Sequence, residues 1–360
     1  MSKTYRVTFT PLEAYFFGGN RQFQFKKREN YSEDDFSPYF IKGNPLPEQS
    51  TIFGSLRYLI LDQARLIKKD FNYSADERKA MAELVGTASF SLQVKRESFG
   101  KIQKISPLFF LKNNKEKIIP TPFNLVKEND RYRPMKLQDQ PIQTIYGDLH
   151  LPAESEYDPK QGYRTGYYNL QTGQEEKEIY KTVVVTGNRI PDRSQPIVDN
   201  TDGLFKREVY HLEDGYQFAT YVTVADDLIL RNGFVQMGQK ASLFKVEVKE
   251  EEDNLAECVR SHLVSITPQG VTWHYALSDQ VVNGLLKTNA FSIVEDRQVR
   301  QIQTNLSGNT FTKRVSLQTE YHTLQKAGSC YYGKIEEDNR ILHTDIAGYN
   351  VLIEIKGEKK

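Results

Sequence analysis

Tyr5, Val7 and Phe9 alternate with Arg6, Thr8 and Thr10. A period of two predicts a strand with one face buried. After a long loop from Phe17-Gly18-Gly19-Asn20 to Pro45-Leu46-Pro47, the period changes. Ile52, Phe53, Leu56, Leu59, Ile60 and Ile67 recur at helical spacing, and Ser50 or Thr51 is placed to cap that helix. A second helix opens on Ser74-Ala75-Asp76-Glu77, a capping box, buries Met81, Leu84 and Val85, and stops at Gly86. Leu108-Phe109-Phe110-Leu111 and Ile118-Ile119 flank Asn113-Asn114-Lys115 as a hairpin would. From about residue 128 to 173 periodicity weakens among Pro, Gly, Asp and Gln, which predicts a connection or an extended insertion.

The second half reads mostly as strands. Thr182-Val183-Val184-Val185 runs into Gly187-Asn188-Arg189-Ile190. Phe205 to Tyr210 and Tyr216 to Val224 flank Glu213-Asp214-Gly215, a hairpin signal. Leu243 to Val248 alternates cleanly into the charged loop Lys249-Glu250-Glu251-Glu252-Asp253, a short helix is expected over Ser278 to Leu286, and Val351, Ile353 and Ile355 alternate near the end. Many strands with few helices in two similar halves give an α+β class with helices on one face of the sheets.

Composition narrows this picture. A length of 360 residues exceeds what one core usually serves, so two packed domains are expected. With 38% hydrophobic and 26% charged residues the chain is a folded one rather than a disordered one. A net charge of +1 argues against a uniformly basic surface and leaves room for a local basic face balanced elsewhere. Cys258 and Cys330 are the two cysteines, too few for a disulfide framework and not spaced for zinc. No apolar run approaches the roughly 20 residues that span a bilayer, and the chain opens on a strand rather than a leader, so no membrane association and a cytoplasmic location are expected. Tyr 21 and Phe 20 against Trp 1 suit strand pairing, with a minority of rings left to stack on bases.

A catalytic constellation is hard to find. The histidines (His150, His211, His262, His274, His322, His343) are scattered, with no His-x-x-x-His pair. A metal-independent RNase needs two proton-transfer groups around a ribose; His211 or His322, with a Tyr or Lys brought near in space, could be recruited, but the spacing gives this no support. Asp34-Asp35 and Asp226-Asp227 read as solvated turns, and no P-loop or nucleophile elbow occurs. No cofactor, metal or catalytic residue is called for.

A set of glycine, cation and aromatic loops stands out instead. Phe16-Phe17-Gly18-Gly19-Asn20-Arg21-Gln22-Phe23-Gln24-Phe25-Lys26-Lys27-Arg28 places four cations among aromatics directly after the first strand. Glycine N–H groups can approach phosphates unobstructed, and an arginine can grip one in a fork. Gly187-Asn188-Arg189 to Arg193, then Lys206-Arg207, forms a second stretch. Gly238-Gln239-Lys240-Ala241-Ser242 and Lys313-Arg314 add to it.

In order, these blocks resemble the RAMP superfamily, and within it the third subunit of type III-B (Cmr) CRISPR effector complexes. Pro11 to Phe23 is similar to that family's paired aromatics followed by glycine and a basic residue. Pro45-Leu46-Pro47-Glu48-Gln49-Ser50-Thr51-Ile52-Phe53-Gly54-Ser55-Leu56-Arg57 is similar to its Pro-rich entry into the first helix. Gly187-Asn188-Arg189-Ile190-Pro191-Asp192-Arg193, running to Asp202-Gly203-Leu204-Phe205, resembles its "glycine, isoleucine, arginine … glycine, leucine, tyrosine" block. Gly233 to Ala241 resembles its glycine-rich loop, with Met237-Gly238-Gln239-Lys240 where the family commonly carries a double glycine before acidic and basic residues. Ile266-Thr267-Pro268 and Lys326 to Tyr331 resemble late strand segments, without the usual glycine-tryptophan between them.

The resemblance implies two tandem ferredoxin-like (RRM-like) domains with long glycine-rich and hairpin insertions, divided as 1–175 and 176–360. It implies a non-catalytic subunit that holds the repeat-derived 5′ tag of the crRNA. Its partners would be the large polymerase-like Cmr subunit and the backbone RAMP subunits, with target RNA met indirectly. The residues it points to for RNA are Gly18, Gly19, Asn20, Arg21, Gln22, Lys26, Ser50, Arg57, Asn188, Arg189, Arg193, Lys206, Arg207, Gly238 and Lys240. Two competing readings are a RAMP endoribonuclease that processes guide-RNA precursors and a β-rich protein-interaction or carbohydrate-binding module.

Overall fold

In the computed structural model, which describes residues 2–18, 40–70, 72–95, 98–129, 131–145, 147–149, 151–153, 163–188, 204–238, 241–283, 291–304, 316–335 and 340–358, the opening alternation becomes β1 (Ser2–Pro11) with Tyr5, Val7 and Phe9 buried. A short β2 (Phe40–Ile41) leads to helices α1 (Gln49–Gln63) and α2 (Ala75–Val85). Strands β3 (Ile102–Ile105), β4 (Phe109–Lys112) and β5 (Glu116–Pro120) follow. Two small hairpins come next, β6 (Leu125–Glu128) with β7 (Arg131–Pro134) and β8 (Ile142–Thr144) with β9 (Gly147–Leu149). Then come β10 (Tyr167–Asn169), β11 (Gln174–Glu176), β12 (Tyr180–Asn188), β13 (Leu204–Leu212), β14 (Tyr216–Ala225), β15 (Gly233–Met237) and β16 (Ser242–Glu250). Helix α3 (Leu255–Ile266) precedes β17 (Thr272–Ala276), β18 (Gln280–Val281), β19 (Phe291–Ile293), β20 (Asp296–Thr304), β21 (Ser316–Gln325), β22 (Cys330–Tyr332) and β23 (Leu352–Lys356). The fold is mixed α+β, strand-rich, with few helices.

A nine-stranded sheet organises the molecule, in the order β11, β10, β5, β4, β14, β1, β16, β15, with β3 attached to β14. It is buried on both faces along β4, β5 and β14. Phe110, Ile118, Phe218, Val222 and Val224 enter one core with Ile52, Phe53, Leu56, Leu59 and Ile60 of α1. Their immediate neighbours Phe109, Leu111, Ile119, Ala219 and Tyr221 enter a second core with Leu255, Val259 and Leu263 of α3 and with Trp273, Tyr275, Ile353 and Ile355. Successive side chains of a strand point to opposite faces, so a continuous apolar run such as 108–111 belongs to a strand covered twice. Behind α3 lies a four-stranded sheet, β19-β22-β17-β23.

Several expectations need correction. The residue at the N-cap of α1 is Glu48, not Ser50 or Thr51. Its carbonyl accepts from the Thr51 and Ile52 N–H groups, and its carboxylate is gripped at both oxygens by Arg297, at 2.5 and 2.6 Å. Ile67 lies beyond the helix, past Arg65 at φ 59°, and packs on the core from a loop. Residues 128–173 are more than a connection, because β10 joins the central sheet with Tyr168 buried. Asn169 is also buried there, its amide donating to Glu116 and Glu176, so a polar strand fits inside. The turn at Glu213-Asp214-Gly215 forms, but β13 and β14 leave it into different sheets; the hairpin is β12 with β13. In place of the helix expected from Ser278, Gln280–Val281 is a strand against β21, with the Val281 N–H held by Asn350; residues 284–286 lie outside the described residues. Ile266-Thr267 ends α3 instead of forming a strand.

Strand β1 is paired on one side with β14 and on the other with β16, so the N-terminal strand completes a sheet made largely of later sequence. Capping at α2 is as the sequence reads: Ser74 and Glu77 form the reciprocal box, and Gly86 ends the helix at φ 77°. The β4–β5 turn is as read too, with Asn113 and Asn114 both left-handed, at φ 51° and 59°.

Candidate nucleic-acid interface

A three-stranded sheet, β12-β13-β2, stands beside the central one and carries the roots of both basic stretches. Residues 19–39, with Arg21 and Lys26, leave the described chain at Gly18 and rejoin it at Phe40, which pairs with Lys206. Residues 189–203, with Arg189 and Arg193, follow Asn188 and precede Leu204 in the chain, two residues that pair with each other. Gly19, Asn20, Arg21, Gln22, Lys26, Arg189, Arg193 and Lys240 lie outside the described residues; their anchoring residues do not.

The anchoring is built from Tyr15-Phe16-Phe17. Tyr15 exchanges backbone hydrogen bonds with Tyr210, at 3.0 and 2.9 Å, and the Asn44 N–H donates to the Phe17 carbonyl at 2.9 Å. Alternation sends Tyr15 and Phe17 into the large core, where their rings lie 5.6 and 6.4 Å from Phe218 and 5.9 and 6.1 Å from Phe244. Phe16 faces the other way, into a small core with Ile41 and Val209. Glycine is required where these elements touch. A Cβ at Gly43 would stand 2.8 Å from the Phe16 ring, and one at Gly238, which sits at φ 80°, would overlap the Phe16 carbonyl. Described members of three of the stretches, Phe16 with Phe17, Arg207 and Gly238, therefore meet around one aromatic pair. Gly18 itself is exposed, with open space where a Cβ would go.

Arg207 lies at the centre of this junction. Its guanidinium carbon is 5.7 Å from the centre of the Phe16 ring, the residue is 7% exposed, and its Nε has no hydrogen-bond partner among the described residues. Burial pushes its pKa down from the ordinary arginine value. Other inward arginines are compensated. Arg57, expected at the RNA surface, is turned inside instead, donating to the carbonyls of Val85 at 3.0 Å and Gly86 at 3.3 Å and tying α1 to the end of α2. Burial lowers the Arg57 pKa to about 10. Arg297 is clamped by Glu48 and Asp279. Lys206, next to Arg207, is exposed. Ser50 lies at the start of α1, away from this junction in the chain, with its N–H directed at the Tyr349 hydroxyl.

Outside the junction several titratable groups are held in local contacts. His262 bonds the Tyr168 hydroxyl at 2.9 Å, and burial lowers its pKa. Asp227 pairs with Lys101, and burial raises the Cys330 thiol to about 12. Among the described residues there is no group of three His, Cys, Asp or Glu side chains that could hold a metal, and no helix is long and apolar enough to cross a membrane.

No family model and no curated protein matches the chain. Solved structures do. A chain of type III-B Cmr-beta bound to cognate target RNA is 15% identical, with 96% of each chain covered and a TM-score of 0.47. One from the same complex with target RNA and AMPPnP is 16% identical over 98% of this chain and 99% of that one, also at 0.47. A chain of the Csm3-Csm4 subcomplex of the type III-A interference complex is 9% identical over 97% and 98%, at 0.38. The structural neighbours are subunits of type III CRISPR complexes. Both type III-B and type III-A chains align nearly end to end, at low identity.

Proposed function

We propose that the chain is a non-catalytic RNA-binding subunit of a type III-B (Cmr) CRISPR effector complex, holding the repeat-derived 5′ tag of the guide RNA and docking against the large polymerase-like subunit. In this reading the parts backed by α1 and by α3 are a ferredoxin-like pair that shares a sheet, and the protein works in the cytoplasm. The observation that carries it is Arg207. A guanidinium buried with no carboxylate partner among the described residues is costly, and this one lies where the glycine-opened basic stretches are rooted. A phosphate is one anion that such a fork accepts, and the neighbouring basic stretches would extend the grip along a polynucleotide backbone.

The test is fluorescence anisotropy with an RNA bearing the tag. Arg207→Ala is expected to weaken binding by about 1–3 kcal/mol, as loss of a hydrogen bond to a charged group does, and Lys206→Ala by less because that ammonium is solvated. Unchanged affinity for Arg207→Ala would remove the junction from the RNA path. Incubating the purified chain with repeat RNA is expected to leave the RNA intact; site-specific cleavage abolished by His211→Ala or His322→Ala would overturn the non-catalytic reading.

A further inference from the structure

Strand β12 lies at the end of its sheet, paired to β13 along all nine residues and to nothing on its other side among the described residues. In an antiparallel ladder every second residue turns its N–H and C=O away from the partner, so this edge offers a row of open main-chain groups. Lys181 to Val184 are all exposed; Val183 and Val184 point to opposite faces and are 42% and 51% exposed. Edge strands are usually blunted by charge, proline or a bulge. This one carries no proline and no bulge, and its single cation, Lys181, is paired with Glu213. RNA has no use for such an edge: valines offer phosphates nothing, and a main-chain ladder is matched by another extended polypeptide.

The residues specify which polypeptide. Thr182-Val183-Val184-Val185-Thr186 reads the same in both directions. Set antiparallel to itself with Val184 on the axis, the strand places Thr182 opposite Thr186 and Val183 opposite Val185. Both faces of the new ladder would then hold β-branched pairs, which favour strands. Lys181 falls opposite Gly187, so the like charges do not meet. A patch that is its own complement is what a two-fold interface needs. We infer that β12 pairs with β12 of a second copy of this chain, making a two-fold dimer with its axis at Val184. The inference is independent of the RNA reading.

Sedimentation velocity of the full chain without RNA tests it. The mass is expected to rise from monomer to twice that value across a concentration series. Val184→Lys and Val184→Glu each set like charges about 5 Å apart on the axis and remove a buried valine pair, so each is expected to move the dimer midpoint to roughly ten-fold higher concentration. A mixture of the two variants is expected to restore dimerisation, because Lys then faces Glu. The side chain is exposed in the monomer, so unchanged circular dichroism is the check on folding. A wild-type chain that stays monomeric throughout would overturn the inference, even if a variant misfolds. So would variants that dimerise like wild type, or a mixture that shows no rescue, since either places the contact away from Val184.

Discussion

Arg57, Arg207 and Arg297 are the same residue type in three states of compensation. Arg297 sits between two carboxylates; burial works against its charge, and Asp279 and Glu48 more than offset this, holding its pKa above the ordinary value. Arg57 rests on two helix-end carbonyls. Arg57→Ala is expected to cost about 1–3 kcal/mol in urea unfolding, because the Val85 and Gly86 carbonyls lose their donor, while tag-RNA affinity of the folded variant stays at the wild-type value. Loss of affinity without loss of stability would return Arg57 to the binding surface. His262 gives a pH signature at the same scale. Burial lowers its pKa below the ordinary value of 6.5, so between that value and the folded one the unfolded chain binds more protons, and stability falls as pH drops through about 6.5. His262→Gln is expected to flatten that part of the stability–pH curve, measured by chemical denaturation at a series of pH values.

Elements whose signals are local were legible. The capping box of α2 needs only Ser74, Glu77 and Gly86. Ser74→Ala is expected to cost about 1 kcal/mol, read from the urea midpoint; no change would mean that the helix end is held by packing alone. The Asn113-Asn114 turn is equally local. What failed were statements about which strand a strand meets. Glu213-Asp214-Gly215 marks where the chain reverses, but the destination of Tyr216 is decided by β1 and β4, residues more than a hundred positions earlier. Helix α3 has a local signal too: Leu255, Val259 and Leu263 at intervals of four, behind Asp253, whose carboxylate accepts the Leu255 N–H at 3.0 Å. The basic stretches were legible one by one. Their common root was not, because it depends on a two-residue strand and on single bridges such as Tyr15 with Tyr210. The inward turn of Arg57 was not legible, because the face of α1 that it takes is set by Phe53, Leu56 and Ile60 packing inward around it.

At the scale of the molecule the central sheet ignores the midpoint of the chain. Separately expressed fragments 1–175 and 176–360 are therefore expected to lack cooperative thermal unfolding, since the first lacks both partners of β1 and the second has a gap between β14 and β16. Co-expression is expected to restore a single transition. Two fragments that each unfold cooperatively would show that the halves are autonomous.

The position of β1 also dictates a timetable for biosynthesis. Its residues leave the ribosome long before their partners, so Tyr5, Val7 and Phe9 must wait for residues 216–250 before both neighbours exist. Closing so long a span is slow, and a greasy strand kept waiting is a substrate for chaperones. Tyr15 and Phe17, which pack against Tyr210 and Phe244, share that delay, so a nascent chain can close this junction only after residue 244 has emerged.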